Sequence, residues 1–400
     1  MKYIVLVADG MADYPIEELG GRTPLEAACT VNMDFIAHHG RLGRINTVPD
    51  KMIPGSDVAN INIMGYDPRK FYPGRGPLEA ANLGVALGEN DVAFRCNLVT
   101  VLDDKLLDYS AGHINSKEAE ILIEYVNKNI GNERIKFYPG ISYRHLMVVK
   151  DGTKERLENL KCRPPHDITG KTILKNLPKG KNADFLISLM KQSRKLLEAH
   201  EINSVRIDLK ENPANMIWLW GQGKKPNMPK FTEKYNVSGS IISAVDLLKG
   251  LGKTIGLEVI NVPGATGYYD TDYRGKANAA LRSLQDKDFV FVHVEAPDEA
   301  GHNGDLREKI LAIERFDQMV VGTILKEFKN KENFRILVLP DHATPVSLKT
   351  HTSDPVCFGI FGKDIIGRGF LNYSEKEAAK SDLYFKNGYE LMDYFINLSL

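Results

Sequence analysis

Charge imbalance is the first thing missing from this chain of 400 residues. Lys plus Arg and Asp plus Glu number 52 each, so no net field favours nucleic acid or an anionic membrane, although local basic clusters stay open. Cysteine is scarce. Cys29, Cys96, Cys162 and Cys357 are scattered and form no C-x-x-C, which argues against a disulfide framework and a thiolate zinc site. No apolar run approaches the roughly 20 residues of a membrane-crossing helix. The opening MKYIVLVADG is interrupted by Asp9 too early for a targeting segment and reads as a strand. Neither G-x-x-x-x-G-K-[ST] nor G-x-G-x-x-G occurs, so no nucleotide loop is signalled, and there is no internal repeat or biased segment. The default expectation is a cytoplasmic protein with no nucleic-acid or membrane partner. Its oligomeric state is not encoded in any pattern here.

What is present is a globular composition, 43% hydrophobic and 26% charged, in a chain long enough for two domains. YIVLVA (3–8), FVFVHV (289–294), RILVLP (335–340) and VCFGIFG (356–362) are continuous apolar runs suited to strands buried on both faces. Leu306, Ile310, Ile313, Phe316, Val320 and Ile324 recur at helical spacing. SGSIISAVDLLKG (238–250) reads as a helix, with Ser238 or Ser240 as cap and Gly250 as stop. Strands alternating with helices predict an α/β core with a mostly parallel sheet. The middle differs. Strands at 145–149 and 216–220 mix with helices near 117–129 and 182–199, predicting an α+β domain at 91–234 inserted into a discontinuous core of 1–90 and 235–400. Arg75 and Glu79 are read as tying the linker to the core.

In open α/β sheets, ligands bind beyond the carboxyl ends of the strands. Three such ends are polar here. YIVLVA ends in Asp9, FVFVHV leads to Asp298-Glu-Ala-Gly-His302, and RILVLP ends in Asp341-His342, with His351 on the loop that follows. One Asp at a strand end is ordinarily a turn or cap residue. Three Asp/His tips in one chain suggest a metal centre. Asp298 and His302 share a helical face at four-residue spacing, while Asp341 and His342 need not serve one ion. A mixed Asp/His set without thiolates suits Zn²⁺ or Mn²⁺ better than Mg²⁺. PGSDVANINIMGYDP (54–68) adds Ser56 at a helix start. Alone it reads as an N-cap; beside a two-metal site it reads as a nucleophile.

These residues carry a resemblance. LVADGMAD, GSDVANINIMGYDP, GRGPLEAANLG, SAGHI, YPGISYRHLMVV, PPHDITGK, VPGATGYYDTDYRGKA, HVEAPDEAGH and PDHATPVSLKTHTSDPV resemble the archaeal-type, cofactor-independent phosphoglycerate mutases, a branch of the alkaline phosphatase superfamily, over nearly the whole chain. The resemblance implies an alkaline-phosphatase-like core and two divalent ions, one held by Asp9, Ser56, Asp341 and His342, the other by Asp298, His302 and His351. It implies interconversion of 3- and 2-phosphoglycerate, a step of glycolysis and gluconeogenesis, through phosphoserine at Ser56, with neither nucleotide nor 2,3-bisphosphoglycerate. The inserted domain would act as a lid. Arg144, Arg163, His166, Arg274 and Lys276 are candidates for binding this small phosphorylated metabolite, and His113, His166 and Asp167 for moving its hydroxyl protons. Cys357 stands where the family usually has proline, and no functional consequence is expected. The rival readings are another metal-dependent phosphotransferase or phosphatase on the same site, such as a homoserine kinase-like activity, and a non-enzymatic metal binder. The intact Ser56 and ligand set disfavours the latter.

Overall fold

The computed structural model describes residues 1–398. The chain forms two compact units, Met1–Tyr72 with the chain from Met228 onward, and Pro73–Asn227.

The first unit is built on an eight-stranded sheet. Its strands run in the order Tyr384–Phe385, Arg41–Ile45, Val356–Gly362, Phe334–Leu339, Lys2–Ala8, Phe289–Val294, Gly239–Ile242 and Glu258–Val259. Lys2–Ala8 lies between two parallel neighbours, Phe289–Val294 and Phe334–Leu339. Val356–Gly362 runs antiparallel to both of its neighbours. Ile4 through Ala8 are fully buried, as a strand covered on both faces requires. The helices Val31–His39 and Tyr273–Asp286 lie against the sheet, and the apolar stripe read over 306–324 is helical throughout. A π-helical turn at Phe316–Val321 interrupts the α-helix. From it Asp317 accepts hydrogen bonds from the backbone N–H groups of Asn32 and Met33 at 3.2 and 2.7 Å.

The segment 238–250 departs from expectation. Gly239–Ile242 is a parallel strand on Phe289–Val294, and the helix begins only at Asp246 and continues to Thr254. Ile241 and Ile242 are β-branched and buried beside Phe291 and Val292, so pairing overrides the helical pattern. Gly250 does not end the helix. Gly252 packs so tightly that an added Cβ would lie 2.4 Å from Ile241.

In the second unit Val92–Leu102 pairs antiparallel with Lys105–Asp108, Arg144–Val149 and Met216–Lys224, and Ile135–Tyr138 adds to Arg144–Val149. Helices Ser116–Ile130 and Ala183–Glu198 contribute to its core. The boundary expected at 90/91 falls at 72/73. Helix Arg75–Leu83 packs on this sheet, with Ala80 against Ala93, Leu146 and Val148. Glu79 pairs with Arg95 at 3.0 Å, and Arg75 lies over Trp220, both contacts being within the second unit. The other boundary lies at 227/228, because Phe231 is buried against Phe289, ring centres 4.5 Å apart. Among the described residues no helix is long and apolar enough to cross a membrane.

Candidate metal centre

Each strand end delivers what its sequence promised. Asp9 follows Lys2–Ala8, and Asp341-His342 follow Phe334–Leu339. Asp298 and His302 sit on helix Ala296–Asn303 after strand Phe289–Val294. An isolated bridge between Ala343 and Thr352 closes the loop that returns His351, setting its ring 4.1 Å from that of His342. Ser56 is the first residue of helix Ser56–Ile63, but Gly55 is the N-cap. The serine hydroxyl is therefore not spent on its own helix. Asp9 turns into the site through Gly10, whose φ of +61° favours glycine. An added Cβ there would meet Asp298 Oδ1 and Thr344 Oγ1 at 2.6 Å.

The side chains converge in two overlapping groups. His302 Nε2 lies 2.9 Å from His351 Nε2 and 3.3 Å from Asp298 Oδ2, and His351 Nε2 is 3.4 Å from Asp298 Oδ1. Ser56 Oγ is 3.2 Å from Asp9 Oδ2 and 3.3 Å from His342 Nε2, which is itself 3.4 Å from Asp9 Oδ1 and 3.8 Å from Asp341 Oδ2. Ligand atoms sharing an ion at about 2.0–2.2 Å are separated by roughly these distances.

Tautomers sharpen the fit. His302 Nδ1 faces the carbonyl oxygen of Lys349 at 3.1 Å, and His351 Nδ1 that of Pro54 at 3.4 Å. A carbonyl only accepts, which assigns both protons to Nδ1. His342 Nδ1 is 3.2 Å from Thr344 Oγ1, whose own proton goes to Asp298, so it too is a donor. With Nδ1 donating, all three rings turn Nε2 toward carboxylates, where either a proton or a metal ion can take its lone pair. Lone pairs and carboxylates crowded together call for a cation, and a divalent metal fits this donor set. Alternative groupings, Asp298 with His342 and His351, and Asp9 with His293 and Asp341, also fall within ion-binding distance. His342 thus stands at the junction of the two groups.

The electrostatics agree. Burial, then the neighbouring Asp341 and Asp298, push the Asp9 carboxyl well above its usual range. Burial disfavours charge on His302, but the Asp298 carboxylate outweighs it and raises the ring to about 9. Burial holds His342 below its usual value, against the pull of Asp341. A metal reverses such preferences by supplying the positive charge itself.

Two residues that sequence reasoning passed over complete the wall. His293 is fully buried, with Nε2 3.2 Å from Asp9 Oδ2 and Nδ1 3.1 Å from Glu295 Oε1. Glu295 also accepts from Ser243 Oγ and from Lys276 Nζ, at 2.9 and 2.8 Å. Lys276, expected to bind substrate, is instead buried, its ammonium engaged by Glu295 and the His293 carbonyl. Arg274 is exposed near the start of the helix Tyr273–Asp286.

The other expected residues lie in the second unit, and several share one aromatic and basic cluster. Arg144 lies over the Tyr143 ring at 5.6 Å. The His113 ring is 6.1 Å from Tyr143, and the His166 ring is 5.4 Å from Trp220 and 6.1 Å from Tyr109. Asp167 Oδ1 is 3.7 Å from His166 Nε2. The Arg163 side chain is exposed, while its carbonyl accepts from Trp218 Nε1. Arg95, unremarked in the sequence, joins the cluster over Trp220 at 5.0 Å. Its signal was an arginine inside the apolar run VAFRCNLVTVL. Burial, then Arg95 and Arg144, depress the buried His145 to about 3.

A family model for 2,3-bisphosphoglycerate-independent phosphoglycerate mutase matches residues 37–203. A protein of that name from Methanosarcina barkeri is 55% identical over 381 residues, 95% of each chain. The chain belongs to the 2,3-bisphosphoglycerate-independent phosphoglycerate mutase family. A mutase of the same name from Methanothrix thermoacetophila is 51% identical, covering 99% of this chain and 100% of its own. Among solved structures, the cofactor-independent phosphoglycerate mutase of Thermoplasma acidophilum superposes with a TM-score of 0.67 at 28% identity, covering all of both chains. A Pyrococcus horikoshii protein superposes with a TM-score of 0.84 at 31% identity, covering 100% of this chain and 98% of its own. Mutases of this family thus match the chain from end to end, inserted unit included.

Proposed function

We propose that this protein interconverts 3-phosphoglycerate and 2-phosphoglycerate through a phosphoserine at Ser56, without 2,3-bisphosphoglycerate. The observation that carries the reading is the setting of Ser56 Oγ, 3.2 Å from Asp9 and 3.3 Å from His342, beside an Asp/His cradle suited to a second ion. Asp9, Ser56, Asp341 and His342 would hold one ion, and Asp298, His302 and His351 the other, with Mn²⁺ or Zn²⁺ favoured by the donor set. When bound, two such ions would keep the serine ionised at neutral pH and neutralise charge on the phosphoryl oxygens. Ser56, as alkoxide, forms a bond to phosphorus while the bond to the 3-oxygen breaks. The departing 3-oxygen takes a proton. The glycerate turns, its 2-hydroxyl gives up a proton and attacks phosphorus, and the Ser56 alkoxide is regenerated. His113 and Asp167 are assigned the two proton movements. Arg144, Arg163 and Arg274 are assigned to the substrate's carboxylate and phosphate, for which guanidinium forks are suited.

The test is an enolase-coupled assay on 3-phosphoglycerate with Mn²⁺ and no 2,3-bisphosphoglycerate. Turnover is expected. No turnover with any divalent ion, or release of phosphate alone, would sink the mutase reading, the latter in favour of a phosphatase.

A further inference from the structure

We propose that His293 Nε2 is a further ligand of the ion held by Asp9, Ser56, Asp341 and His342, oriented for it by Glu295. The inference rests on the two-ion reading above and adds a residue to it. His293 repeats the arrangement of the other three imidazoles. Its Nδ1 faces an acceptor, the Glu295 carboxylate at 3.1 Å, so Nδ1 donates there and Nε2 is the nitrogen left for an ion, which would replace a proton held on it by the two carboxylates. That Nε2 points at Asp9 Oδ2, 3.2 Å away, and Asp341 Oδ2, 3.8 Å away. Among the described residues it has no well-angled hydrogen-bond partner, although it is completely buried. A buried ring nitrogen set between two carboxylates without a well-angled hydrogen bond to either is poorly explained as packing.

The support behind the ring is equally specific. Glu295 accepts from Ser243 Oγ and from the backbone N–H groups of Ala244 and Val245, at 2.9, 3.1 and 3.2 Å. Lys276 Nζ holds its other oxygen at 2.8 Å and the His293 carbonyl at 2.9 Å. A carboxylate fixing the far nitrogen of an imidazole is the usual support of a metal-bound histidine. Glu295 and Lys276 are thus positioning residues, and they give the buried lysine a purpose that substrate binding does not.

Crystals of the Zn²⁺-loaded wild-type protein test this directly by anomalous scattering. The ion beside Asp9 is expected about 2.1 Å from His293 Nε2. An ion there with Nε2 beyond 3 Å would overturn the proposal and leave His293 a hydrogen-bond donor to the carboxylates. In solution, chelator competition on folded His293→Gln should show one of two ions bound about 10- to 100-fold more weakly and the other unchanged. Unchanged affinity for both would also overturn it. Should His293→Gln fail to fold, the wild-type crystal decides. Wild-type protein that binds no divalent ion defeats the two-ion reading itself, and this inference with it.

Discussion

Ser56 stands in the first turn of its helix without capping it, because Gly55 takes that place. Its hydroxyl is directed to Asp9 and His342. Ser56→Ala is therefore expected to lower mutase turnover by roughly 10³- to 10⁶-fold while both ions still bind. Intact-mass measurement after incubation with 3-phosphoglycerate should find phosphoserine in the wild type only, and full activity in the variant would exclude the route. Gly10→Ala is the complementary change. Its Cβ would press on Asp298 and Thr344, and its φ of +61° is unfavourable to alanine. A stability loss of about 1–3 kcal/mol, measured by denaturant titration, should accompany weaker metal binding. Sequence could offer Asp9, Asp298, His302, Asp341, His342 and His351 as candidate ligands because each follows a strand, where polarity is conspicuous. It could not single out His293, which lies inside the apolar run FVFVHV and looks like core. Nor could it separate Lys276 from a surface cation, since its burial depends on Glu295, distant in sequence.

Short elements carry their own electrostatics. Glu375 opens the helix Glu375–Ala378 and is half-buried, accepting from Thr23 Oγ1 at 2.8 Å and from the Asp13 N–H at 3.3 Å. Burial is the main cause that raises its carboxyl to about 7 from 4.5, with Glu26 adding to it. Lys309, the nearby cation, pairs with Asp13 at 2.7 Å. A raised carboxyl binds more protons folded than unfolded between these values, so this group makes stability fall as pH rises from about 4.5 to 7. Glu375→Gln should flatten that slope and stabilise the protein at pH 8 by up to roughly 3 kcal/mol relative to pH 4, read from denaturation midpoints at the two pH values. An unchanged slope would refute the assignment. The segment 238–250 shows where pattern reading fails at this scale. SGSIISAVDLLKG has helical spacing, yet strand partners contributed by 289–292 decide its first half. The long helices at 116–130 and 183–198 were legible because their apolar stripes repeat over several turns, and no pairing competes for them.

At the scale of the whole molecule, the proposed metal ligands all belong to the first unit. Removing the ions with a chelator should lower its stability by about 2.7 kcal/mol where the ion had been at 100 times its dissociation constant. Hydrogen exchange should locate the loss in strands Lys2–Ala8 and Phe334–Leu339, with added Mn²⁺ restoring protection. Loss confined to 73–227 would contradict this. The insertion itself was visible in the sequence as a change of pattern, but its first edge was not, because RGPLEAANLG reads as an amphipathic helix whichever sheet it covers.

The sheet order has a further consequence, for synthesis on the ribosome. Lys2–Ala8 is made first, but its two neighbours pair Tyr3 with Phe289 and Arg335. At about 5–20 residues per second, this apolar strand waits about 15–65 s for them. The second unit, Pro73–Asn227, is contiguous and has its own sheet within reach. Nascent chains stalled near residue 260 should therefore resist protease across 73–227 while remaining cleavable in the first strand. The order of translation leaves the earliest proposed metal ligand, Asp9, exposed longest, and a holding chaperone has most to protect at the amino terminus.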